Sequence, residues 1–188
     1  TNLTATEIFD YDVGDEFHYK KDWQDSFSPW YYTFRTQIKK ILSKTVSFNQ
    51  DTITYLVEKC ETIINNSSEI SDPDTTYIFD TIIEKVILPY YSFLNQLTNE
   101  VLPDSTGYSI FSLNQTHNKR EKIIDNSYEQ TFSGCWQPFL ITPAQPTLTY
   151  IDGLGGGYYD QFSWNNRFIL VYYKKGTEVW GTPLDCNP

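Results

Sequence analysis

Between Thr33 and Val46 the side chains alternate with a period of two. Phe34, Thr36, Ile38, Lys40, Leu42 and Val46 fall on one face, and Arg35, Gln37, Lys39, Ser43 and Thr45 on the other. A backbone that sends successive side chains to opposite sides is an extended strand, and this run is long for a half-buried one. The polar turn Phe48-Asn49-Gln50-Asp51 follows. Ile53, Tyr55 and Val57 then alternate with Thr52, Thr54, Leu56 and Glu58. Two long strands around a short polar turn form a hairpin, which can bury its apolar face only within a larger sheet or against a second layer.

The remaining segments speak the same way. Phe17 to Tyr19 alternates after Gly14, while residues 22 to 30, with Asp, Ser, Pro and two Trp, read as a connecting loop. Residues 65 to 75 are the most loop-like stretch, and a strand from Tyr77 to Leu88 follows, stopped by Pro89. Phe93, Leu94, Leu97 and Val101 recur at three- and four-residue intervals and predict one short amphipathic helix near residues 91 to 100. Strand signals resume at Tyr108 to Leu113, Lys122 to Ile124 and Tyr128 to Phe132, with Asn118 and Asn126 in their turns. Leu148 to Ile151 leads into a glycine cluster, and Arg167 to Tyr173 turns through Lys174-Lys175-Gly176 into Glu178-Val179-Trp180. No linker-like tract and no solenoid-period repeat divides the chain. The expected fold is mainly β, a single domain over residues 1–188 of antiparallel strands arranged as a curved sheet, a barrel or a sandwich, with one short helix.

Charge narrows the partners. Twenty-four acidic against fourteen basic residues leave a net charge of −10. That argues against nucleic acid, whose phosphates need clustered Lys and Arg, and against anionic membrane surfaces. No apolar run reaches the length of a membrane-spanning helix, so no membrane insertion of that kind is expected. Aromatic residues make up 17% of the chain, too many for a disordered acidic segment. The absence of Met leads to the expectation of a mature, trimmed product.

Three cysteines, Cys60, Cys135 and Cys186, leave one unpaired in any single-bridge arrangement. None fits a zinc spacing, and His18 and His117 stand far apart, so no metal and no cofactor is implied. A reducing cytosol and an oxidising exterior both remain open on cysteine count alone. Asn2, Asn65, Asn66 and Asn114 match the N-glycosylation acceptor pattern, as chance allows in a chain this rich in Asn, Ser and Thr.

Chemistry has few places to hide. Asp152-Gly153-Leu154-Gly155-Gly156-Gly157 lacks the following helix and the Lys of a phosphate loop, and reads as a backbone corner. Asp10, Asp12, Asp15 and Glu16 gather carboxylates, but Gly14 and Lys21 stand where a calcium loop needs ligands. Glu16 and His18, two apart on a strand, share a face and make the least poor acid–base pair, although no nucleophile elbow accompanies them. No catalytic residue is assigned. Trp23, Trp30 and Trp164 are candidates for stacking on carbohydrate rings, since Trp beside amide and hydroxyl groups suits a sugar's apolar face and its hydroxyls.

Gly134-Cys135-Trp136, Tyr150-Ile151-Asp152-Gly153-Leu154-Gly155-Gly156-Gly157-Tyr158-Tyr159 and the run from Leu170 to Leu184, together with the opening Ile8 to Tyr19, form a pattern. It resembles a family of uncharacterised exported proteins of Bacteroidota-type bacteria, which commonly carry a C-terminal sorting domain for type IX secretion. The resemblance implies a signal peptide already removed, a secreted or cell-surface location and a β-rich module. It transfers no activity and no catalytic residue. Residues 141 to 146 lack the second Cys that often follows the Cys-Trp pair in that family, and the sorting domain has no counterpart in these residues. For an exported chain the expected bridge joins Cys135 to Cys186, both flanking the Gly/Pro-rich C-terminal part. The functional expectation is an exported non-catalytic module, ligand-binding or structural, with a glycan or cell-surface component as partner. The alternative is a secreted hydrolase or carbohydrate-binding module acting on polysaccharide.

Overall fold

The computed structural model describes residues 2–24, 31–67, 74–95, 108–125, 128–130, 136–138, 147–161 and 166–186. In chain order the elements are α1 (Ala5–Ile8), β1 (Glu16–Gln24), β2 (Tyr31–Val46), β3 (Thr52–Ser67), β4 (Asp74–Ile87), a 3-10 helix (Leu88–Asn95), β5 (Tyr108–Asn114) and β6 (Lys119–Asp125). There follow β7 (Tyr128–Gln130), β8 (Trp136–Pro138), β9 (Leu148–Ile151), β10 (Gly155–Gln161), β11 (Asn166–Lys175) and β12 (Glu178–Gly181). The fold is mainly antiparallel β, as the alternation predicts. The chain groups into two compact units, Thr1–Asp10 with Ile87–Tyr159, and Tyr11–Val86 with Asp160–Pro188.

In the larger unit the strand order is β4-β3-β2-β1-β11-β12. The β2–β3 hairpin runs in register from Tyr31↔Ser67 to Val46↔Ile53, with a shift between Ile41 and Ser43. Leu42, placed with Phe34 and Ile38 by the alternation, is the extra residue there and is 38% exposed, whereas Ile41, still in register opposite buried Val57, is 3% exposed. Phe17, Ile41, Ile53, Tyr55 and Val57 form a buried core, and Tyr11 joins it through ring contacts with Phe17 and Tyr55 at 4.8 and 5.2 Å. β1 continues to Gln24, where a loop is expected from residue 22. Backbone pairing with β2, from Glu16↔Lys40 to Gln24↔Tyr32, overrides the loop-like composition.

The smaller unit holds β9 between β6 and β10, with β5 beside β6 and β7 paired to β8. Its N-terminal segment is pinned by specific bonds. Thr4 caps α1 and forms a reciprocal pair with Glu7, whose carboxylate accepts from the Thr4 amide at 2.8 Å. Arg120 bridges Glu7 and Asp152 at 3.0 and 2.7 Å, and Gly153 N–H donates to the Glu7 carbonyl. Lys122 is fully buried and donates to the Leu94 carbonyl at 2.7 Å and to Asn2 Oδ1 at 3.2 Å. Burial would raise the Glu7 pKa, but the hydrogen bonds from Thr4 and Arg120 outweigh it and hold the carboxyl below its usual range.

The short helix expected near residues 91 to 100 is a 3-10 helix set earlier, over Leu88–Asn95, kinked at Tyr91. Pro89 lies in its first turn, where a missing N–H costs nothing. Residues 96–107, with Leu97 and Val101, lie outside the described residues. The glycine cluster joins β9 to β10, and Gly153, Gly155 and Gly157 take φ of +66°, +82° and +76°. A Cβ on Gly156 would come within 2.6 Å of the Tyr150 Cα, so the two strands meet only because that side chain is absent.

Candidate functional site

The even-numbered face of β1, β2 and β3 carries two cross-strand rows. Glu16 lies opposite Lys40, and Lys40 opposite Glu58; His18 lies opposite Ile38, and Ile38 opposite Cys60. Side chains directly opposite on antiparallel strands share a face, so charges of alternating sign stand beside a less polar row. Glu16, Lys40, Glu58, Ile38 and Cys60, with Phe79 of β4, line a cavity of about 680 Å³.

A C-terminal strap crosses this face. After β12 the chain passes over His18, where the Leu184 amide donates to Nδ1 at 2.8 Å. The strap then reaches Cys186, which is disulfide-bonded to Cys60 on β3 with a Cα–Cα distance of 6.3 Å. The expected Cys135–Cys186 bridge is therefore corrected to Cys60–Cys186. A sulfur forms one disulfide, and the strap delivers Cys186 to β3. Cys135 itself lies outside the described residues.

The strap also decides what His18 can do. Because Nδ1 accepts an amide hydrogen, the ring hydrogen sits on Nε2 and is donated to Glu16 Oε1, 2.7 Å away. His18 is 2% exposed, and its ring lies tilted against that of Tyr172 with centroids 4.5 Å apart. The Glu16–His18 pair expected from their spacing thus exists, with both ring nitrogens committed to structural bonds. A general base needs a free nitrogen within reach of substrate, and this ring offers none.

The acidic cluster resolves similarly. Asp15 is buried and accepts from the Asp12 amide at 2.8 Å, the Gly176 amide at 3.2 Å and Lys175 Nζ at 3.1 Å, so its carboxylate clamps the β11–β12 turn. His117 lies in the β5–β6 turn, its amide bonded to Asn114 Oδ1 at 2.9 Å. The glycine cluster leads into strand β10, so no helix N-terminus faces it.

Of the three tryptophans proposed for sugar stacking, Trp30 and Trp164 lie outside the described residues. Trp23 sits on strand β1 rather than in a loop, 51% exposed, opposite Thr33 of β2. Thr33 in turn lies opposite Asn65 of β3 and donates to its Oδ1 at 3.1 Å. An aromatic ring is thereby held beside a hydroxyl and an amide on a rigid sheet. The sequence reading missed Cys60 and the strap. Cys60 shares strand parity with Glu58, but only the β2–β3 register brings it into the row with Ile38 and His18.

Comparison with protein-family models, characterised proteins and solved structures finds no match to this chain.

Proposed function

We propose that this chain is an exported, non-catalytic module that binds a ligand at the cell surface or outside the cell. The observation that carries the reading is the Cys60–Cys186 disulfide, which anchors the strap across one sheet face. Such bonds persist in oxidising compartments and are rare where glutathione and thioredoxin keep thiols reduced. The resemblance of the Tyr150 to Tyr159 and Leu170 to Leu184 segments to exported bacterial proteins supports a type IX-like route. The engagement of both His18 nitrogens supports binding over hydrolysis.

Fractionation of cells producing the full-length precursor tests the reading. The chain is expected in the medium or at the surface, oxidised at Cys60 and Cys186. Recovery in the cytosol with all three thiols reduced would overturn it.

A further inference from the structure

We propose that Lys21, Trp23 and Arg35 form a platform for an anionic polysaccharide, an inference that deepens the ligand-binding reading and rests on it. The β1–β2–β3 register builds the platform. Lys21 lies opposite Arg35, and Arg35 opposite Ile63; in the next row Trp23 lies opposite Thr33, and Thr33 opposite Asn65. All six share one face, which is the reverse of the strapped one.

Two independent features point to the ligand. The first is charge. Like charges directly opposite on an antiparallel ladder repel and destabilise the pair. Lys21 and Arg35 hold that arrangement in a chain whose net charge is −10. Lys21 is exposed and has no ion-pair partner among the described residues. Among the described residues Arg35 reaches only Glu61, at 3.9 Å, and Glu61 is already bonded to Lys59 at 2.7 Å. A carboxylate or sulfate seated between the two cations relieves the repulsion.

The second feature is the ring beside them. Trp23 presents an exposed aromatic face one position along the strand face from Lys21, with the Thr33–Asn65 hydroxyl and amide across from it. Stacking satisfies the apolar face of a sugar, and the flanking groups satisfy its hydroxyls. Strands lie ~4.8 Å apart, close to the length of one pyranose unit, so a glycan crossing the strands places successive sugars over Trp23 and over Thr33 and Asn65. Single-stranded nucleic acid also uses stacking with basic residues. Trp23 is the one exposed ring in these two rows, so the surface offers no run of stacking sites for successive bases.

Affinity electrophoresis of the whole chain tests the platform with polygalacturonate, dextran sulfate, uncharged dextran and poly-dT. Retardation by polygalacturonate or dextran sulfate is expected, weakening with salt, and the stronger of the two identifies carboxylate or sulfate as the anion. Trp23→Ala is expected to weaken binding about tenfold, the scale of losing one stacking ring. Arg35→Gln is expected to abolish retardation while leaving the melting temperature nearly unchanged, because it removes the repulsion with Lys21 and only a 3.9 Å contact with Glu61. That combination separates loss of a site from loss of fold. Retardation by neither anionic glycan, or equal retardation by uncharged dextran or poly-dT, overturns the proposal. Retardation that survives both substitutions overturns this location, and leaves the ligand-binding reading standing on another surface.

Discussion

Breaking the Cys60–Cys186 bond tests the strap most directly. The bonded residues are 126 apart in sequence, so the bridge removes a large loop-closure entropy from the unfolded chain. The chain-entropy relation for a loop of that length gives about 5 kcal/mol at 25 °C, a ceiling that residual unfolded-state structure lowers. A chain of this size loses roughly 2–4 °C of melting temperature per kcal/mol, so Cys60→Ser, or reduction of the native chain, is expected to lower the midpoint by about 10–20 °C. A bridge between Cys135 and Cys186, closing a loop of about 50 residues, would give ~4 kcal/mol by the same relation, too close to separate the two by melting. Thiol mapping separates them. Alkylation under denaturing, non-reducing conditions should label one thiol per chain, at Cys135, and digestion should yield a Cys60–Cys186 peptide pair. In the reduced protein the Leu184 amide should exchange rapidly with solvent, since the strap then rests on few bonds besides the one to His18. A midpoint unmoved by reduction, or a linked peptide containing Cys135, would refute the reasoning.

Other expectations follow from single contacts. Gly156→Ala forces a Cβ against the Tyr150 backbone and should destabilise the smaller unit by about 1–3 kcal/mol, read by urea unfolding; a neutral result would mean that the β9–β10 pair yields freely. Glu7 has a folded pKa below its ordinary value of 4.5, so the stability it contributes is present above that value and lost as pH falls through the lowered pKa. Glu7→Gln should therefore be less stable than wild type at neutral pH and should lose less on acidification, measured as melting temperature against pH. Tyr150 is pushed up to about 12, chiefly by burial and then by the neighbouring Tyr91, so its contribution is intact below pH 10 and lost as pH rises towards 12. Tyr173 is also raised, by burial and by its bond to Glu178, so ultraviolet titration should find both phenols ionising late and together with alkaline unfolding, and Tyr150→Phe should remove one of the two from that step.

Local order was readable from residue pattern alone. The alternation of Ile53, Tyr55 and Val57 marks a buried face, and those three side chains are buried. The polar turn at Phe48–Asp51, the positive φ at Asn118 and the tight turn at Gly176 stand where their residue types predict. The capping box of Thr4 and Glu7 went unread, because a helix of four residues is too short to register by periodicity. Strand parity also placed Glu16 and His18 on one face before any neighbour was known.

Neighbours are what a linear pattern cannot supply. Period-two alternation belongs to one strand and says which residues share its face, but not which strand lies alongside or in what register. The Cys60–Cys186 bond, the strap over His18 and the Lys21–Arg35 juxtaposition all depend on the order β3-β2-β1-β11-β12, set by backbone pairing between segments far apart in the chain. The same pairing drew Trp23 out of an apparent loop and left Leu42 unpaired and exposed beside buried Ile41. Backbone hydrogen bonds are alike for every residue, so composition carries little trace of the partner they choose; side-chain alternation survives because it follows from the geometry of a single chain.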